Sequence, residues 1–165
     1  MKKRLILATA LFSLGLVACQ QHNPANSSVS TTPNDYSTSA LTEQNKKIIV
    51  DFYEGVFSKH QVQTYSDRYI STQYIQHNPY VADGKVPFVN YFTQYFKEHP
   101  NAKNTIKRVV AEGDLVVLHV HSTQNAQDRG EAVVDIFRVE QGKIVEHWDV
   151  IQSIPAESAN RNSMF

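Results

Sequence analysis

Near Asn101 the hydrophobic period of this chain changes, and that change restricts its fold more than any other feature of the sequence. Upstream, Ile48, Phe52 and Val56, with Ile49 and Tyr53, recur at helical spacing and predict a helix from Thr42, read as its N-cap, to about Ser58. A short second helix is expected over residues 64–69 and a brief extended piece over 73–77, ending at Asn78-Pro79. A third helix is expected after the Asp83-Gly84 turn, with Pro87 in its first turn and Phe88, Phe92, Tyr95 and Phe96 as an aromatic stripe. Downstream the period is two. Strands are predicted over 105–111, 114–122, 131–139 and 143–153, separated by Glu112-Gly113, the polar stretch 123–130 and Gln141-Gly142. Three helices followed by a run of antiparallel strands is an α+β plan, in which a curved sheet wraps the helices and leaves a pocket at the wide end of a cone.

The N-terminus carries a separate signal. Lys2, Lys3 and Arg4 precede an apolar stretch from Leu5 to Val17 that is too short to remain as a membrane span and suits a signal-peptide core. Leu16-Val17-Ala18-Cys19 resembles the lipobox of bacterial lipoproteins, and the only cysteine of the chain stands where that motif requires it. The expected organisation is a signal peptide over 1–18, a lipidated flexible tether over 19–41, a folded domain over 42–155 and a tail over 156–165. Residues 20–41 support the tether, being rich in Ser, Thr, Asn and Pro with no apolar periodicity. Gln20 in place of Asp resembles the pattern sorted to the outer membrane. The expected location is therefore a cell or outer membrane, with the domain lipid-anchored through Cys19 and facing the periplasm or exterior. Removal of the leader takes three cations from a balanced 16 basic and 16 acidic residues. The remaining acidic excess argues against a nucleic-acid partner.

Chemistry is read from the strand faces, because alternate residues point the same way. Val133, Asp135 and Phe137 share one face. On the last strand Val145, His147, Asp149 and Ile151 lie opposite Ile144, Glu146, Trp148 and Val150. Leu115, Val117, His119 and His121 lie opposite Val116, Leu118 and Val120. Both faces are apolar enough to be covered, so alternation does not say which lines a cavity. Ionisable groups within such strands must be paired or shifted in pKa. Asp149 has a structural alternative as a partner of Arg138, and His77 could fix the turn at Asn78-Pro79.

Five runs then carry a family resemblance: YIQHNP (74–79), ADG (82–84), AEGDLVVLHVHS (111–122), VVDIFRV (133–139) and GKIVEHWDVIQ (142–152). In order and spacing they resemble the SnoaL-like polyketide cyclase family of the NTF2-like superfamily. The resemblance implies an NTF2-like cone of three N-terminal helices on a curved, mainly antiparallel sheet, and acid–base catalysis without a cofactor. An aspartate matching Asp149 would remove a proton next to a carbonyl, and the enolate would close a ring by an aldol step. Asp135 stands where some of these enzymes carry histidine. The expected catalytic set is Asp149, Asp135, His147, His119 and His77, with Tyr74, His121, Trp148 and Phe137 as ligand-binding residues and no metal. The expected partners are a small apolar or carbonyl-containing ligand, the membrane through Cys19, and a second copy through the exposed sheet face.

Two other function classes stay open at this level. One is a non-catalytic small-ligand-binding lipoprotein of the cell envelope. The other is a metal site, since His119-x-His121 places two imidazoles on one strand face. The family's cyclases work in the cytoplasm, whereas the leader directs this domain outward, so any substrate must be a compound that reaches the envelope.

Overall fold

The computed structural model describes residues 33–165. The expected signal peptide and Cys19 lie outside the described residues. Helix α1 (Pro33–Tyr53) passes into a π-helical turn (Glu54–Ser58), followed by α2 (Val62–Tyr69), β1 (Ile70–Gln76), α3 (Lys85–Glu98), β2 (Lys103–Glu112), β3 (Leu115–Thr123), β4 (Glu131–Glu140) and β5 (Lys143–Ser153). Among the described residues no helix is long and apolar enough to cross a membrane.

Two differences from the sequence reading concern the N-terminal half. First, α1 begins at Pro33, inside the stretch expected to be a flexible tether. Thr42 is not its N-cap but an interior residue, whose hydroxyl donates one turn back to the Thr38 carbonyl at 2.9 Å. Residues 38–41 are exposed, so no apolar stripe marks them; Thr42 and Asn45 tie the helix inward, donating to the Gly113 carbonyl at 3.4 and 3.1 Å. Second, the extended piece is a full strand of the sheet. Strand β1 pairs in parallel with β5, giving the order β1-β5-β4-β3-β2 with every other neighbour antiparallel. As an edge strand it buries little beyond Ile70 and Tyr74, which is why its sequence is mostly polar.

The helices cover one face of the sheet. Ile49, Phe52 and Tyr53 of α1 and Val56 of the π-helical turn meet Val116, Leu118 and Val120 of β3 and Phe137 of β4 in a continuous core. Phe52 stands edge-on to Phe57, Tyr69 and Phe137, the arrangement that aromatic quadrupoles favour. The π-helical turn brings Gly55 against Tyr65 of α2. A Cβ at Gly55 would lie 2.2 Å from that ring, so only glycine permits the two helices to approach this closely.

Strand β5 carries a bulge. Glu146 pairs with Arg138 but Ile144 pairs with Val139, so Val145 is the extra residue. The bulge turns Ile144, rather than the expected Val145, onto the core side, where it is fully buried together with His147. Strict alternation along the last strand therefore holds only from Glu146 onward.

A buried acid–imidazole cluster at the open end of the cone

The inner face of β4 and β5 ends in a cavity of about 200 Å³ between the sheet and α3. Its walls are aromatic, with Phe57, Phe88, Phe92 and Phe137 among them, and its rim carries Tyr80, Tyr91 and Tyr95. Asp135, His147 and Asp149 bring charge into this apolar space. Asp135 and His147 are only 6% and 7% exposed, and Asp149 is half-buried beside them. Asp135 and Asp149 are direct cross-strand partners, and Phe137 pairs with His147 in the same ladder.

Each member of the cluster is anchored from outside it. Asp135 Oδ1 and His147 Nε2 share a hydrogen bond of 3.1 Å, while Asp135 Oδ2 accepts from the Tyr53 hydroxyl at 2.9 Å. His147 Nδ1 lies 2.8 Å from Gln76 Oε1. Asn78 Nδ2 donates to Asp149 Oδ2 at 2.6 Å, and Asn78 Oδ1 accepts from the Tyr80 backbone N–H at 2.8 Å, which fixes the amide's orientation. Among the described residues no group donates to the other oxygen of Asp149. Burial, and then the negative charge of Asp135, hold the Tyr53 hydroxyl well above its ordinary pKa, so it stays a proton donor. Burial and the same carboxylates push Tyr74 up as well.

One ligand atom from each of Asp135, His147 and Asp149 lies within 4.8 Å of the others. Two carboxylates and an imidazole at that spacing could hold a divalent cation. They could equally pass a proton, since the direct Asp135–His147 hydrogen bond already occupies one edge of the triangle.

Several expected site residues lie elsewhere. His77 points to the outer face of the sheet, where it shares a 2.9 Å hydrogen bond with Glu146 and stacks on Trp148, the rings 4.8 Å apart and 6° from parallel. Trp148 is thus an outer-face residue too. His119 and His121 also project outward. His119 Nδ1 contacts Arg108 at 3.1 Å, His121 Nε2 lies 2.8 Å from the Arg129 carbonyl, and the Phe165 ring packs against both imidazoles. The side of β3 that meets the helices is the one bearing Val116, Leu118 and Val120. Tyr74 is buried in the core edge-on to Phe88, not in the cavity wall. Asp149 is tied to Asn78 and not to Arg138, which instead pairs with Glu146 and Glu140.

Tyr53, Gln76, Asn78 and the tyrosines of the rim were not singled out as site residues. Gln76 and Asn78 flank His77 in YIQHNP, and an extended chain that turns His77 outward turns both neighbours inward. Parity alone would place the pair inward, but nothing local says which groups the two amides meet. Tyr53 stands out in the sequence only as part of the helical repeat, because nothing local says that its hydroxyl meets an acid 82 residues away.

Three helices on a curved mixed sheet, with a polar cluster at the open end of the cone, define an NTF2-like α+β protein. The SnoaL-like polyketide cyclase family model matches residues 47–160, and the chain belongs to that family. Among solved structures it is similar to a candidate ketosteroid isomerase from Kribbella flavida (14% identity, 75% of this chain and 89% of that one, TM-score 0.59). It is also similar to a candidate SnoaL-like polyketide cyclase from Jannaschia sp. CCS1 (20% identity, 67% and 86%, TM-score 0.57) and to an NTF2-like protein of unknown function from Cytophaga hutchinsonii (14% identity, 66% and 89%, TM-score 0.55). At these identities the likeness is one of fold. No curated protein matches the sequence significantly.

Proposed function

We propose that the cavity takes a small carbonyl compound and catalyses an aldol-type cyclisation or an isomerisation by acid–base chemistry, with Asp149 as the base. One observation carries this reading. Asp149 lines an apolar cavity, is held by a neutral amide rather than a cation, and keeps one oxygen uncommitted beside an acid–imidazole pair. That oxygen removes a proton from the carbon next to a carbonyl. The proton held between Asp135 and His147 stabilises the developing enolate oxygen, a contribution of a few kcal/mol when well placed (about 3–4). In cyclisation the enolate carbon attacks a second carbonyl of the same molecule, and the proton taken by Asp149 passes to the new alkoxide. In isomerisation Asp149 returns it to a different carbon.

The test is solvent deuterium exchange at the activated carbon of a β-dicarbonyl probe, followed with Asp149→Asn. The variant is expected to lose about 10²- to 10⁴-fold in rate. Full retention would remove Asp149 from the role. Tight binding of the probe by the wild-type protein with no exchange would favour the second reading, a non-catalytic binding protein, which the aromatic walls also suit.

We further propose that the domain is anchored to the cell envelope through acylated Cys19, on the strength of the charged leader, its apolar core and the lipobox. Cys19→Ser is expected to abolish palmitate incorporation and to release the protein into the soluble fraction; continued labelling would refute the assignment. The outer face of the sheet, with Val110 and Val150 exposed next to partly buried Val134 and Trp148, suits pairing of two copies. Light scattering of the chain lacking residues 1–32 reads this directly, with a monomeric mass as the refuting result.

A further inference from the structure

Gln76 is the register partner of His147 across the parallel β1–β5 ladder, and its amide can be oriented without ambiguity. Oε1 accepts the Asn78 backbone N–H at 2.9 Å, and Nε2 donates to the Tyr74 hydroxyl at 2.9 Å. An amide oxygen only accepts, so the 2.8 Å contact with His147 requires the proton to sit on Nδ1. The other ring nitrogen, Nε2, then faces Asp135 Oδ1 at 3.1 Å. With Nδ1–H fixed, a bare Nε2 opposite an ionised Asp135 would set a lone pair against a carboxylate. The pair avoids this by keeping one proton between them, either as imidazolium and carboxylate or as neutral imidazole and carboxylic acid. Without the Gln76 acceptor, a neutral imidazole could move its proton to Nε2, satisfy an ionised Asp135, and release the shared proton.

We propose that Gln76 is a positioning residue: by holding His147 in the Nδ1–H form, it compels Asp135 and His147 to keep a proton shared between them. This rests on the acid–base reading above, in which that proton serves the enolate oxygen. The groups facing the pair fit the assignment. Tyr53 from α1 donates to the far oxygen of Asp135; Tyr74 from β1 is occupied by Gln76; Tyr91 and Tyr95 of α3 stand at the rim; Asp149 on β5 itself is held by Asn78. Gln76 thus acts on the reaction through His147 and does not line the cavity.

Two substitutions should act in opposite directions. Gln76→Leu removes the acceptor, so His147 should populate the Nε2–H tautomer. Gln76→Glu keeps the shape and the Asn78 contact and places a stronger acceptor at Nδ1, which should hold the Nδ1–H form more firmly. Nitrogen-15 NMR of the labelled whole protein reads both, with histidine signals assigned by a His147→Gln control. In the wild type Nδ1 should carry the proton. An unprotonated Nδ1 in the wild type, or a Gln76→Leu variant that keeps the Nδ1–H tautomer of the wild type, would overturn the proposal. Kinetically, the exchange rate should fall in Gln76→Leu and be retained in Gln76→Glu, with KM little changed. The expected NMR behaviour without any exchange by the wild type would overturn the catalytic reading, and with it the role of Gln76 in a reaction. Its control of the pair's proton would still stand.

Discussion

The Tyr53 hydroxyl donates to Asp135 Oδ2 at 2.9 Å, joining the first helix to the fourth strand across 82 residues of chain in a buried site. This contact turns an acid in an apolar sheet face into an oriented one, and it links the stability of the fold to the geometry of the cavity. Replacing Tyr53 with Phe removes the donor while keeping the ring packed against Phe57 and Phe137. It leaves a buried carboxylate oxygen short of a partner, with an expected loss of about 1–3 kcal/mol. Urea unfolding measures this, and a midpoint equal to that of the wild type would show that the bond contributes nothing net.

On the opposite face, Glu146 is held below its ordinary pKa of 4.5, first by the hydrogen bond from His77 and then by Arg138, against partial burial. A depressed folded value means that its contribution to stability is present above about pH 4.5 and is lost as the pH falls through the folded value. Glu146→Gln should therefore flatten the acid side of the stability curve below about pH 4.5. An unaltered acid limb in thermal melts across pH 3–6 would contradict the assignment (the range is approximate).

His119 and His121 face away from the cavity and are occupied by Arg108, the Arg129 carbonyl and Phe165. His119→Ala and His121→Ala should leave the exchange rate at the activated carbon unchanged. A strong loss in either variant would require a route from the outer face to the site.

The spacing of Asp135, His147 and Asp149 also admits a divalent cation. Under the acid–base mechanism, chelator treatment should leave exchange intact, and added zinc should inhibit by occupying the base. Stoichiometric metal in protein purified without chelators, with activity lost on its removal, would replace Asp149 as a free base by Asp149 as a ligand.

The residues that reached the cavity and those that did not were separated by parity and by turns. Asp135 and Asp149 were legible because each is an acid flanked by apolar residues within a strand, and parity puts Phe137 and His147 on the same faces. Their joint placement followed once two adjacent strands were aligned. His77, His119, His121 and Trp148 carried the same kind of signal, but on the other side of the sheet. With both faces partly apolar, alternation alone could not rank them. Gln76 and Asn78 were hidden beside His77, because an amide reads as turn chemistry until its partner is known.

The sequence by itself determined the class of fold: the change of period near Asn101 and the turn residues between strands are local, and local chemistry decides element type. It also carried the runs on which the family resemblance rests. Tertiary structure alone decided which sheet face the helices cover, that β1 joins as a parallel edge, that the bulge at Val145 puts Ile144 in the core, and that Tyr53, Gln76 and Asn78 orient the acids. These are contacts between residues tens of positions apart. They depend on register and on how the elements pack together, and no local pattern encodes either.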